Sequence, residues 1–246
     1  MRSIKIMGLC LAAVFVMGAV GVATASASTP GFRFSGTKTA FSSVSGPGTL
    51  VQASNSSGGN GATVECKSDR DDGEIEGASG SDKVKNVLVL FDECKSKVAG
   101  TTFTCGSIKT NKLEGQLGYI NAAEHKVGLV LKPQSPATLF AEFECETGGN
   151  KIAIKVRGEV IGEITPISKV TGEHLIEPGG HFTLQYTFNG ANHWEQAPNV
   201  LTVLGEKKEG LLLETSISNV QSGAFLPSGI ETTDEIFPLQ STEILG

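Results

Sequence analysis

The sequence predicts an all-β protein, an antiparallel β-sandwich or barrel-like domain preceded by a cleaved N-terminal signal helix. Three observations carry the prediction. Short runs from residue 37 onward alternate apolar and polar side chains with a period of two, the pattern of half-buried strands. Turn residues, mainly Gly, Pro and Asn, punctuate those runs at short intervals. Past residue 27, no stretch of ten residues or more keeps a helical period, which leaves the all-β classes.

The chain begins with Arg2 and Lys5 ahead of the apolar run 6–22, and Ala25-Ser26-Ala27 places small residues where a signal peptidase reads. Export with cleavage after Ala27 is therefore expected, with Ala25 the second choice. A membrane anchor needs about 20 apolar residues, more than this run supplies, so no membrane span is expected after cleavage. Cys10 lies mid-run behind Gly8-Leu9, which does not fit a lipid-attachment box. Losing Arg2 and Lys5 turns a balance of 20 basic and 26 acidic side chains into 18 against 26. An acidic chain with scattered cations argues against nucleic acid and against an anionic membrane surface. The mature length suffices to bury roughly 70% of the unfolded surface, so a core need not depend on disulfides.

Residues 28–246 read as one all-β domain, with 28–36 and the extreme C-terminus loosely ordered. Strand candidates follow at 37–44 and 49–53 around Gly46-Pro47-Gly48, then at 62–67 and 74–78 beyond a Gly-, Ser- and Asn-rich loop at 55–61. Residues 84–91, VKNVLVLF, are apolar on both faces over most of their length and belong in the middle of a covered sheet. Strands at 101–105 and 112–120 come next. A loop at 121–125 would set Tyr119 opposite Val127 and Leu117 opposite Leu129, and Pro133 and Pro136 stop the outgoing strand.

The clearest hairpin is 138–157. Leu139, Ala141, Phe143 and Cys145 share one face, and Phe140, Glu142 and Glu144 the other. Ile152, Ile154 and Val156 alternate with Lys151, Lys155 and Arg157 on the return strand. A four-residue turn at 146–149 predicts Cys145 opposite Asn150, Phe143 opposite Ile152 and Glu144 opposite Lys151. Further strands are expected at 160–165, ended by Pro166, and at 182–188, 200–204, 211–217 and 230–237.

Four cysteines survive cleavage: Cys66, Cys94, Cys105 and Cys145. An even number in an exported chain implies two bridges with three possible pairings. Cys94 and Cys105 flank a short polar segment that suits a local bridge, while Cys66 and Cys145 both share a face with core residues. The expected pairs are Cys94–Cys105 and Cys66–Cys145. Zinc is disfavoured, because no Cys-x-x-Cys occurs and no histidine lies near the four in sequence.

Candidate chemistry is thin. Asp69, Asp71, Asp72, Glu74 and Glu76 crowd around Gly73, but the spacing fails an EF-hand, and a solvated turn is the stronger reading. His174 and His181, with Glu173 and Glu177, match no ligand spacing, so neither metal nor cofactor is expected. No Gly-x-Ser-x-Gly elbow occurs. Glu142 and Glu144 are the one pair worth arguing. Two residues apart on a strand, they would project about 7 Å apart, within reach of glycosidase carboxylates. Their neighbours Lys151 and Lys155 favour a surface charge ladder instead. Trp194, in the loop 190–199, could stack on a sugar ring, although capping the core is the simpler role.

The segments VECKS (64–68), GEIEG (73–77), LEGQLGYI (113–120), VGLVLKP (127–133), LFAEFEC (139–145) and VRGEVIGEITP (156–166) resemble a family of exported β-rich proteins. That family has many copies in some soil-dwelling high-GC Gram-positive bacteria. The resemblance covers roughly 64–166 and implies export and a shared β scaffold; it brings no activity, cofactor or catalytic residues. The functional expectation is a non-enzymatic extracellular or cell-surface module that binds a partner, such as a cell-wall or extracellular polymer, or has a structural role. The alternative is a secreted carbohydrate-active enzyme working through Glu142 and Glu144.

Overall fold

The structure is a computed structural model that describes residues 29–37, 39–53, 61–189, 195–218 and 223–246. The expected signal segment 1–27, most of the loop 55–61, His193 and Trp194 lie outside the described residues.

The described residues form strands and no helix. In chain order they are β1 (Gly31–Phe34), β2 (Thr39–Ser45), β3 (Gly48–Gln52), β4 (Thr63–Cys66), β5 (Ser68–Ile75), β6 (Lys83–Val98), β7 (Thr101–Lys109), β8 (Leu113–Asn121), β9 (Lys126–Pro133) and β10 (Ala141–Thr147). They continue as β11 (Asn150–Gly158), β12 (Val160–Thr165), β13 (Phe182–Asn189), β14 (Glu195–Ala197), β15 (Val200–Val203), β16 (Glu206–Glu209), β17 (Leu213–Ile217), β18 (Leu226–Pro238) and β19 (Thr242–Leu245).

Antiparallel pairing closes fourteen of these strands into two rings. The first runs β2-β5-β6-β8-β9-β12-β13-β18 and back to β2. The second runs β3-β4-β6-β7-β10-β11-β17-β18 and back to β3. Two long strands belong to both. β6 has 16 residues and gives its first half to one ring and its second to the other. β18 has 13, and gives Leu226 to Glu231 to the second ring and Thr232 to Pro238 to the first. Closure leaves most strands paired on both sides, which removes the open edges that a flat sheet would expose.

The sequence explains why β6 extends past the expected end at Phe91. Cys94, Ser96 and Val98 keep an inward phase against exposed Glu93, Lys95 and Lys97, so the segment expected to be a polar loop is strand. Asn86 and Glu93 take positive φ at register shifts, irregularities of the kind that bend a strand and re-aim its side chains. β1 and β19 pair with each other, so residues 31–34 and 242–245 are strand. Phe32 and Ile244 are buried, and Phe32 lines the bottom of the first ring beside Phe41, Ile164 and Phe182. β15 lies outside that ring, where Leu201 and Val203 pack on Val130 and Ile161 in a small second core.

The hairpin β8–β9 has the expected register, with Leu117 opposite Leu129 and Tyr119 opposite Val127. The hairpin β10–β11 does not. Gly148 and Gly149, both at positive φ, make a two-residue turn, so Thr147 faces Asn150, Cys145 faces Ile152 and Phe143 faces Ile154. The slip is two residues, so the faces are unchanged: Ala141, Cys145, Ile152, Ile154 and Val156 are buried. Phe140 precedes the strand and is buried rather than outward.

The disulfides are Cys66–Cys94 and Cys105–Cys145, which corrects both expected pairs. The ladders explain the pairing. Glu65 faces Lys95 across β4 and β6, so Cys66 comes next to Cys94; Glu146 faces Thr104 across β10 and β7, so Cys145 comes next to Cys105. The four cysteines form one row across the order β4-β6-β7-β10. A Cys94–Cys105 bond would leave Cys66 and Cys145 three strands apart, about 14 Å at the usual strand spacing, beyond disulfide reach. A bulge also sets Gly106, not Cys105, opposite Cys94.

Candidate functional site

Glu142 and Glu144 stand on the outer face of β10. Glu142 faces Lys155 directly and its carboxylate lies 3.0 Å from Nζ; Glu144 reaches Lys151 diagonally at 3.2 Å. Both glutamates are more than half exposed, and neither lines any cavity described below. Catalysis by a carboxylate pair needs one acid held apart from the other in protonation state by its surroundings. Here each carboxylate has its own lysine and open solvent.

The remaining sequence candidates disperse. The His174 amide donates to Ser168 Oγ at 3.0 Å and its Nε2 lies 4.0 Å from the Glu173 carboxylate, while the His181 ring tilts against Phe237 at 5.6 Å between centroids. The Glu173 carboxylate accepts the Lys169 amide, which holds its pKa below the ordinary carboxylate value, and Glu177 accepts the Ser241 hydroxyl. Among the described residues, no three His, Cys, Asp or Glu side chains converge as a metal site.

The acidic run differs from expectation. Residues 68–75 form β5, not a solvated turn, and its alternation turns Asp69 and Asp71 inward with Gly73 and Ile75. Asp69 is 5% exposed and Asp71 9%. Asp234, on the shared strand β18, is 6% exposed and meets them inside the first ring. Ladder positions fix the arrangement: Asp234 faces Ser45, Ser43 faces Asp71, and the Asp69 amide donates to Ser45 Oγ at 3.0 Å. Thr232 Oγ1 donates to Asp234 Oδ1 at 3.4 Å, and buried Tyr186 sits opposite Thr232. The three carboxyls, Tyr186 and Thr232 border a cavity of about 30 Å³ otherwise walled by apolar side chains.

Burial dominates the electrostatics here. Desolvation, with the charges of Asp69 and Asp71, pushes Asp234 up to about 9. Desolvation, with Asp69 and Asp72, raises Asp71 to about 6, and burial raises Asp69 as well. Tyr186 is pushed well above the usual phenol value by burial and by the same carboxylates. Among the described residues, the Oδ1 atoms of Asp69 and Asp71 have no hydrogen-bond partner. Asp234 and Tyr186 were absent from the sequence candidates, yet a signal existed: Asp234 is in phase with inward Ile230 and Ile236.

Two further hollows lie elsewhere, one outside and one inside the rings. A groove of about 550 Å³ runs outside β8 and β9, bordered by Lys83, Lys132 and Lys208 and by Glu76, Glu114 and Glu159. Inside the second ring, an apolar cavity of about 60 Å³ is lined by Leu50, Val64, Ile108, Phe143 and Leu213, among others.

No family model, curated protein or solved structure gives a significant match to the chain.

Proposed function

We propose that the chain is an exported, disulfide-stapled β module that acts outside the cell by binding or by structural assembly rather than by catalysis. The observation that carries this reading is the row of four cysteines closed into two bridges. Such bridges persist in oxidising compartments and are rare where cytosolic thiol reductants act, and Cys94 and Cys145 are almost wholly buried. The signal-like N-terminus and the family resemblance point the same way. The groove of mixed lysines and glutamates suits a polar polymer of the cell wall, held by many weak charged contacts.

Three measurements test the reading. Fractionation with thiol alkylation should find the chain outside the membrane with no alkylated cysteine; a cytosolic pool with free thiols contradicts it. Co-sedimentation with purified cell wall should hold the protein at low salt and release it at high salt, as exposed charge contacts require. Hydrolysis of a polysaccharide by the wild type that is lost in Glu142→Gln with Glu144→Gln would replace this reading with the enzymatic one.

A further inference from the structure

The seam between the two rings holds the most unusual chemistry in the molecule. Phe91, Phe140 and Ile230 line both the apolar cavity of the second ring and the carboxyl-bearing cavity of the first, so the two spaces meet there. Asp234 sits on β18, one of the two strands that hold the rings together, and Asp69 and Asp71 sit on β5, which pairs with the other. The polar groups facing the three carboxyls are Ser43 and Ser45 from β2, Tyr186 from β13 and Thr232 from β18. β6, β9 and β12 contribute only apolar side chains. Among the described residues, no Lys, Arg or His lines the cavity. The cation next to Asp69 in sequence, Arg70, points outward and pairs with Asp92. Three carboxylates cannot share such a space fully charged, because burial and mutual repulsion both oppose ionisation.

We propose that Asp69, Asp71 and Asp234 form a proton-holding cluster at the seam, a pH-sensitive lock that keeps the rings joined when protonated and loosens β5 and β18 as it ionises. The direction follows from proton counting. An unfolded chain protonates its aspartates near 3.9, whereas Asp71 in the fold stands at about 6 and Asp234 at about 9. Between those limits the folded state binds more protons than the unfolded one, so stability falls as pH rises. It is fully present below about pH 4, declines through the range up to about 9, and is level beyond. The bridges staple the second ring, so the loosening is confined to the first ring and the seam.

Carbon-detected NMR of the full chain, labelled at aspartate carboxyls, should show Asp234 titrating near 9 while neutral spectra remain those of a folded protein. Amide exchange in β5 and β18, corrected for its intrinsic pH dependence, should rise at least about tenfold between pH 5 and pH 9, a one-unit shift being worth a factor of ten. β11, in the second ring, should not follow. Asp234→Asn, which imitates the protonated acid, should flatten that rise, and Asp71→Asn should flatten its lower part. Titration of Asp234 near 4 in the folded protein overturns the proposal, and so do parallel exchange profiles for wild type and Asp234→Asn. Calcium added at pH 8 that restores wild-type protection would also overturn it, by making a cation rather than a proton the occupant. If neither variant folds, the wild-type titration decides alone.

Discussion

Replacing both outer glutamates of the β10–β11 hairpin should hardly be felt, whereas emptying one inner site should be severe. Glu142–Lys155 and Glu144–Lys151 are ion pairs at 3.0 and 3.2 Å between side chains that are roughly half exposed. Solvent screening limits such pairs to about 0–1 kcal/mol each, so Glu142→Gln with Glu144→Gln should cost less than about 2 kcal/mol. Ile154 is completely buried and faces Phe143 across the hairpin. Truncating an isoleucine at such a site costs about 2–5 kcal/mol, depending on how far the cavity collapses. Each kcal/mol shifts the midpoint by about 2–4 °C in a chain of this size, so Ile154→Ala should melt roughly 5–20 °C lower and the glutamine variant only a few degrees lower. Phe143→Ala should fall between them, because Phe143 is only partly buried. Thermal melts followed by circular dichroism measure all three. A glutamine variant as damaged as Ile154→Ala would mean that the faces are assigned the wrong way round.

Other substitutions probe other joints of the fold. Cys66→Ala with Cys94→Ala should leave no free thiol and cost about 3.5 kcal/mol, the loop-entropy value for a separation of 28 residues. Cys105→Ala with Cys145→Ala should cost about 4 kcal/mol for a separation of 40. Urea unfolding and thiol titration check both, and two reactive thiols in either variant would contradict the pairing. Gly118→Ala would place a Cβ 2.6 Å from Leu201 Cγ and 2.8 Å from the Thr202 carbonyl, so β15 must move off the first ring. A cost of about 1–3 kcal/mol is expected, against almost none at Gly46→Ala, where a Cβ meets nothing within 4 Å among the described residues; equal melts for the two would refute the outside packing of β15.

Periodicity made the faces legible but not every register. In β8–β9 the five-residue loop and Pro133 left one pairing open, and that pairing is observed. In β10–β11 the segment Glu146 to Asn150 accommodates either a four-residue or a two-residue turn, and a slip of two preserves the buried side. Ring closure rests on contacts such as β2 with β18, far apart in sequence, for which local pattern carries no signal. The cysteine row followed from the strand order β4-β6-β7-β10 and could not be read without it. The carboxyl cluster was hidden differently. Charge density made residues 69–76 look like a wet turn, although Asp69 and Asp71 are in phase with buried Ile75. Phase was the better guide there, because a closed ring buries every inward position whatever residue occupies it.

The claim that two rings share β6 and β18 is tested most directly by the disulfide map of the unreduced protein. Proteolysis under non-reducing conditions, followed by mass spectrometry, should yield peptides linking Cys66 to Cys94 and Cys105 to Cys145. Those links require β4 beside β6 and β7 beside β10, two of the joints that close the second ring. Peptides linking Cys94 to Cys105, or Cys66 to Cys145, would contradict that strand order and the closed ring built on it.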